Sequence, residues 1–345
     1  MRFILFAPTL LSLFLCLPLP LHAYETEKEM LFAGTGTKEL NIISTTDIDL
    51  FQPLIKAFQQ RRPELTINYS QASSTAVFQA ITHQESRFDL AISSAMDLQT
   101  KAANDGFAQT FKSPTTASFP PWSQWRDQVF GFSQEPAVLV ASKAAFQGLP
   151  VPRSRPELIE ILRTSPERFR GKIGTYDARI SGLGYLFATQ DVRQSDGYWR
   201  LTEVMGALNP KLFCCSSSMI KAIETNEILI AYNVLGSYAH TRIMENDKAV
   251  IIPLSDYTNV MMRTVLIPTQ AQNPQSAGAF IDFLLSRPGR HILEVKVGLP
   301  ALNPNNAITD YSRRPIRLGP GLLVYLDLIK RQRFLADWEN SMLQK

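Results

Sequence analysis

The sequence predicts an α/β protein built as two lobes around a cleft. Three observations carry this reading. Strand-like and helix-like segments alternate as β-α-β-α-β through the first third of the chain, which implies a parallel sheet covered by helices. The same alternation recurs in the second half. Between the halves lies "QVFGFSQEPAVLVASK", a long run of strand character, and a second run, "VMMRTVLIPTQ", follows near residue 265. Two such strands would carry the chain out of one lobe and back again.

The order begins with a targeting segment. Arg2, the apolar run "FILFAPTLLSLFLCLPLPL" and Leu21-His22-Ala23 read as an export signal over residues 1–23, cleaved before Tyr24. The competing reading is a membrane anchor. Pro8, Pro18, Pro20 and the polar "YETEKE" favour cleavage. Leu15 is too large for the lipobox that would make Cys16 a lipid attachment site. The expected fate is therefore export without a lipid anchor. No later stretch reaches the roughly 20 apolar residues of a membrane helix.

"LNIISTTD" reads as a strand ending in hydroxyls. In "DLFQPLIKAFQQRRP" the spacing of Leu50, Leu54 and Phe58 predicts an amphipathic helix, capped by Asp49 with Gln52 behind it. "LTINYS" and "FDLAISSA" are strands. "SSTAVFQAIT" and "MDLQTKAANDG" are helices, the second closed by Gly106. In the second half "GKIGTYD", "ILIAYN" and "AVIIPL" are strands; "SGLGYLFATQ", "DGYWRLTEVMGAL" and "SSSMIKAIETNE" are helices. "NPQSAGAFIDFLLS" is amphipathic, with Ala277, Phe280, Ile281 and Leu284 on one face. Residues 38–130 and 265–345 are expected in lobe one and 137–260 in lobe two, with crossings near 131–136 and 261–265.

The formal charge is +4, with small basic clusters at "SRRPIR" and "KRQR". A nucleic-acid binder would show a denser stripe, so that class is excluded. Enzyme signatures are missing. There is no G-x-S-x-G elbow, and "GTGTK" lacks phosphate-loop spacing. His83, His240 and His291 have no ligand-like spacing, so no metal site and no cofactor are expected.

Candidate site residues come from strand ends. Thr45 and Thr46, Ser73 and Ser74, and Ser93 and Ser94 each precede an expected helix. A hydroxyl beside free backbone N–H groups is a ready anion site. Any one of them taken alone reads as a plain N-cap; three at successive strand ends point to a shared site. In the second lobe Ser181 and Gly182 would present backbone donors. Arg179 either pairs with an anion or is a solvated loop residue. Cys215 and Ser216 stand at a helix start, and Tyr232 and Asn233 end the following strand.

The segments "LNIISTTDIDLFQPLIKAFQQRRPELTINY", "FDLAISSAMDLQTKAANDGF", "GKIGTYDARISGLGY" and "VLIPTQAQNPQSAGAFIDFLLSRPGRHIL" resemble bacterial periplasmic solute-binding proteins of ABC-type uptake systems. The resemblance covers nearly all of the chain after residue 23. It implies the type II-like periplasmic-binding-protein fold, with two α/β lobes and a hinged interlobe cleft. The subgroup resembled includes ferric-iron receptors and receptors for phosphorylated sugars and phosphoglycerate, some of which partner sensor histidine kinases. "AYNVLGSYA" and "GPGLLVYLDLIKRQRFLADW" resemble the kinase-linked set. Ferric receptors hold the metal with an adjacent tyrosine pair. Here the matching place reads Tyr232-Asn233, and Tyr238 is six residues on.

The resemblance implies a monomeric binding protein that closes on a small, anionic, phosphorylated or carboxylated solute. Its partner would be an ABC permease or a sensor kinase. The alternatives are a ferric-ion binder using Tyr232 and Tyr238, and a periplasmic enzyme. Cys214 and Cys215 admit three readings: a vicinal disulfide, two inert thiols, or a soft-ligand site of the kind some sensor-linked relatives use for arsenite. The preferred expectation is a structural pair with a backbone N–H of Cys215 or Ser216 facing the ligand.

Overall fold

The computed structural model describes residues 24–83, 86–246, 249–304 and 310–344. The expected export signal lies outside the described residues. The strands among them are, in chain order, β1 Lys28–Phe32, β2 Lys38–Ser44, β3 Leu65–Gln71, β4 Leu90–Ser93, β5 Gln124–Trp125, β6 Val129–Gly131, β7 Glu135–Ser142, β8 Ile173–Tyr176, β9 Lys211–Phe213, β10 Ile230–Leu235, β11 Ala249–Ile252, β12 Thr258–Met261, β13 Thr264–Leu266 and β14 Arg313–Pro315.

They form two sheets. The first runs β1-β3-β2-β4-β13-β6-β5, and the second runs β14-β12-β7-β10-β8-β9 with β11 also on β7. β2 is parallel to β3 and β4, and β8 is parallel to β9 and β10, as helical crossovers require. β1 is an antiparallel edge strand whose outer residues are mostly exposed, so its sequence carries little apolar signal.

The chain leaves the first sheet between Gly131 and Glu135 and returns between Met261 and Thr264. The two crossings are bonded to each other. Phe132 N donates to Arg263 O (2.9 Å), and Arg263 N donates to Ser133 Oγ (3.0 Å). This pair of segments is the hinge region between the lobes.

The helix Ile48–Gln59 buries Phe51, Leu54, Ile55 and Phe58 against the first sheet. It starts two residues earlier than the sequence suggests, so Asp47, not Asp49, holds the cap position and Pro53 sits in the second turn. The helix Pro274–Leu285 packs on that helix and on Pro114–Ala117. Its Ala277, Phe280, Ile281 and Leu284 are all fully buried.

The C-terminus departs from expectation. The turn Pro320–Leu326 lies on the first-lobe helix Met96–Asn104, but the helix Leu328–Met342 packs on Gly197–Ala207 in the second lobe. Phe334, Trp338 and Met342 fill the second core, with Trp338 only 1% exposed. Gly206 permits this approach, because a Cβ there would overlap Ser341 O. The tail thus straps both lobes rather than completing the first alone.

Asp97, in the first turn of Met96–Asn104, is buried near Arg331 of the strap, and its Oδ1 has no hydrogen-bond partner. Burial pushes its carboxyl up to about 7, against the pull of nearby backbone N–H groups and Arg331. A raised carboxyl stabilises the fold at low pH and loses that contribution as pH climbs towards 7. The loss amounts to roughly 4 kcal/mol between about pH 4 and 7. Asp97→Asn is expected to raise stability more at pH 8 than at pH 5, as read by urea unfolding. Equal gains at both would refute this account.

Candidate functional site

A cavity of about 180 Å³ lies between the lobes, beyond the carboxyl ends of β2, β4, β8 and β10. This is where ligands bind in open α/β sheets. A larger, more open hollow of about 660 Å³ in the second lobe, lined by residues such as Arg163, Glu203 and Ser341, includes none of these strand ends.

The first lobe contributes Thr45, Ser73, Ser74 and Ser94 to the cavity wall. Ser73 caps the helix Ser74–Thr82 through Ala76 N (3.1 Å). Thr45 Oγ1 accepts from Ser94 N (3.0 Å). The second lobe contributes Ser181, Cys215 and Ser216. Ser181 caps the helix Gly182–Gln194 through Gly184 N (3.1 Å). Ser216 Oγ is bonded to the Tyr176 hydroxyl (2.6 Å) and accepts from Leu235 N (3.0 Å). So seven of the residues chosen from sequence share one cavity. The helix starts at Ser74, Gly182 and Ser216 converge on it.

Six others do not line it, each for a local reason. Thr46 is fully buried behind the wall, its hydroxyl accepting from Arg263 Nη1 (3.0 Å). Ser93 is buried too, closing its own turn through Ala95 N (3.1 Å). Arg179 faces a neighbouring hollow and is clamped by Asp177, Nε to Oδ1 at 2.8 Å and Nη2 to Oδ2 at 2.6 Å. Gly182 provides clearance: a Cβ there would stand 2.8 Å from both Ser74 Oγ and Leu98 Cδ1.

Tyr232 and Asn233 are the main correction. They do not end their strand, since β10 continues to Leu235. A bulge falls between Ala231 and Val234, and Asn233 takes a left-handed φ of 63°. Both side chains then point into the second core. The Tyr232 hydroxyl accepts from Arg155 Nε (2.6 Å) and donates to Asp191 Oδ2 (2.9 Å). Asn233 Nδ2 donates to the same Oδ2 (2.7 Å), and Asn259 Nδ2 to Asp191 Oδ1 (2.7 Å). It is Leu235 that reaches the cleft.

The sequence reading missed Arg263. It sits in the hinge at the back of the cavity, 1% exposed, and its guanidinium meets Glu135 at 3.1 Å through both Nε and Nη2. Ser133 and Ser237 donate to the same carboxylate. Burial works to raise the Glu135 carboxyl, but Arg263 and these hydroxyls outweigh it and hold it below the usual range. The guanidinium also reaches Thr45 and Thr46 and lies 5.8 Å from the Tyr238 ring. An arginine inside a strand-like apolar run gave no site signal.

Tyr238 lines the cavity, where its hydroxyl accepts from Asp47 N (3.2 Å). Tyr232 is bonded to Arg155 and Asp191 in the second core and does not share the cavity with Tyr238. Burial raises both phenols. Among the described residues no group of three or more His, Cys, Asp or Glu side chains is placed to hold a metal, and no helix is long and apolar enough to cross a membrane.

Residues 40–296 match the family model for bacterial extracellular solute-binding proteins. The substrate-binding protein of an ABC transporter from Agrobacterium tumefaciens is 31% identical, with a TM-score of 0.87 over 91% of this chain and 98% of that one. The periplasmic binding protein AfuA from Actinobacillus pleuropneumoniae, solved with fructose-6-phosphate, is 15% identical, with a TM-score of 0.75 over 90% and 100%. Iron-bound HitA from Pseudomonas aeruginosa is 17% identical, with a TM-score of 0.66 over 88% and 99%. These last two share the fold. No curated protein matches the chain. With its two-sheet α/β architecture and interlobe cavity, the chain belongs to the bacterial extracellular solute-binding protein family.

Proposed function

We propose that the protein is a periplasmic receptor for a small solute bearing an oxyanion group, which it encloses between its lobes and presents to an ABC permease. The observation that carries the anionic reading is the meeting of three helix starts and the Arg263 guanidinium in one small cavity. Arg263 and Glu135 balance in formal charge, and Glu27 and Asp47 also line the cavity, so it holds no net positive charge. Much of the attraction therefore comes from helix-start N–H groups and hydroxyls, which favour anions without a net positive charge. The phosphorylated sugar in AfuA supports the same class of ligand for this fold.

Closure of a hinge around the solute follows from the two crossings. The lobes already touch, with Thr75 Oγ1 donating to Ile180 O (2.9 Å) and Leu183 N to Ser74 Oγ (3.3 Å). Gly182→Ala is expected to obstruct this approach and weaken solute binding by about tenfold, ~1.4 kcal/mol. Calorimetry on both proteins checks it, and unchanged affinity would remove Gly182 from closure.

Calorimetry against phosphorylated, carboxylated and neutral sugars, with ferric ion alongside, tests the ligand class. Binding confined to the anionic solutes is the expected result. Tight binding only to neutral solutes or to ferric ion would overturn the proposal.

A further inference from the structure

Cys214 and Cys215 have no task in solute capture as described so far. Both are free thiols, Cys214 exposed and Cys215 half-buried, and both stand in the cleft wall. Their sulfurs lie 2.7 Å apart. Cys215 occupies the cap position of the helix Ser216–Glu224, and its sulfur also meets the hydroxyls of Ser218 (3.1 Å) and Ser217 (3.6 Å).

This arrangement makes the two sulfurs unequal. The hydrogen bond from Cys214 lowers the Cys215 thiol to about 6, helped by Ser218 and Ser217 against the opposing effect of burial. The same bond and burial push Cys214 upwards. The short sulfur contact leaves the two thiols sharing a proton, which favours a thiolate on Cys215 and a thiol on Cys214. A thiolate near a helix start, reachable from solvent, is the nucleophilic form of cysteine.

We propose that Cys214 and Cys215 form a thiol–disulfide exchange site at the cleft, whose substrate is a small organic disulfide. The Cys215 thiolate attacks one sulfur of the disulfide, forming a mixed disulfide and releasing one thiolate. Cys214 gives its proton to the leaving thiolate and attacks the Cys215 sulfur, expelling the second thiolate, which takes its proton from water. Two protein thiols are oxidised to one vicinal disulfide, and one small disulfide is reduced to two thiols. Adjacent Cα atoms stand about 3.8 Å apart, below the roughly 4.4–6.8 Å of ordinary disulfides, so the ring is strained and easily reopened by excess thiol. The product changes the wall that the solute meets.

The test uses the reduced protein and hydroxyethyl disulfide, read by peptide mass. Cleavage after Lys211 and Lys221 isolates the two cysteines in one peptide, apart from Cys16. The expected product is that peptide less two hydrogens, restored by dithiothreitol. Cys214→Ser should stop at a mixed disulfide on Cys215, and Cys215→Ser should react at least tenfold more slowly. On the unaltered protein, limiting iodoacetamide should label Cys215 at least tenfold over Cys214. The proposal falls if the vicinal disulfide does not form, or if the two sulfurs label equally.

Discussion

Replacing Arg263 by Met is expected to lower folding stability by about 3–5 kcal/mol and to abolish solute binding. The first effect comes from what is left behind. Glu135 is fully buried, and without the guanidinium its charge stays in a low-dielectric site with only two hydroxyl donors. The second follows from the position of Arg263 at the back of the cavity. Combining Arg263→Met with Glu135→Gln removes the stranded charge and should recover most of the stability but none of the binding. Urea unfolding and calorimetry separate the two. A single variant that loses less than about 1 kcal/mol would show that the pair does not support the hinge. The pair also sets an acid limit. Because the folded Glu135 carboxyl sits below its unfolded value, its stabilisation is complete above the ordinary glutamate range and is lost as pH falls below about 4.

Asp191→Ala should produce a loss of similar size with a different signature. Asp191 is fully buried and collects hydrogen bonds from Tyr232, Asn233 and Asn259, with Arg155 Nη2 at 3.6 Å. Removing it leaves the buried Tyr232, Asn233 and Asn259 donors unpaired, while Arg155 keeps Asp256 at 3.2 Å, so the loss should be about 3–5 kcal/mol. None of these groups lines the cleft. Solute affinity should therefore stay within tenfold while the unfolding midpoint drops. A collapse of affinity in a folded variant would return Tyr232 to the site and bring Asp191 into it.

The contrast between Tyr232 and Thr45 shows what the sequence made legible. Thr45, Ser73, Ser74, Ser94, Ser181 and Ser216 stand where a strand gives way to a helix, and that grammar is local, so periodicity and caps reveal it. Tyr232 and Asn233 look the same in sequence. A bulge and a left-handed Asn233 turn them to the opposite face, and bulges leave no periodic trace. Arg263 was invisible for another reason: its partner Glu135 lies 128 positions away, and only the meeting of the two crossings joins them. The edge strand β1 and the strap helix were missed because one is polar and the other buries just Phe334, Trp338 and Met342.

The contacts from Thr75 to Ile180 and from Leu183 to Ser74 bear on how the receptor reports its load. They run from protein to protein, so they favour the closed shape whether or not a solute is present. Their strength sets the share of unloaded molecules that look loaded. Too strong a latch would send empty receptors to the permease, where they compete with full ones. Too weak a latch would make each solute supply all the energy of closing, and apparent affinity would fall in proportion to the competent fraction. Two bonds at the cleft edge, with a glycine in place of any larger residue between them, form a setting for background noise as much as for affinity.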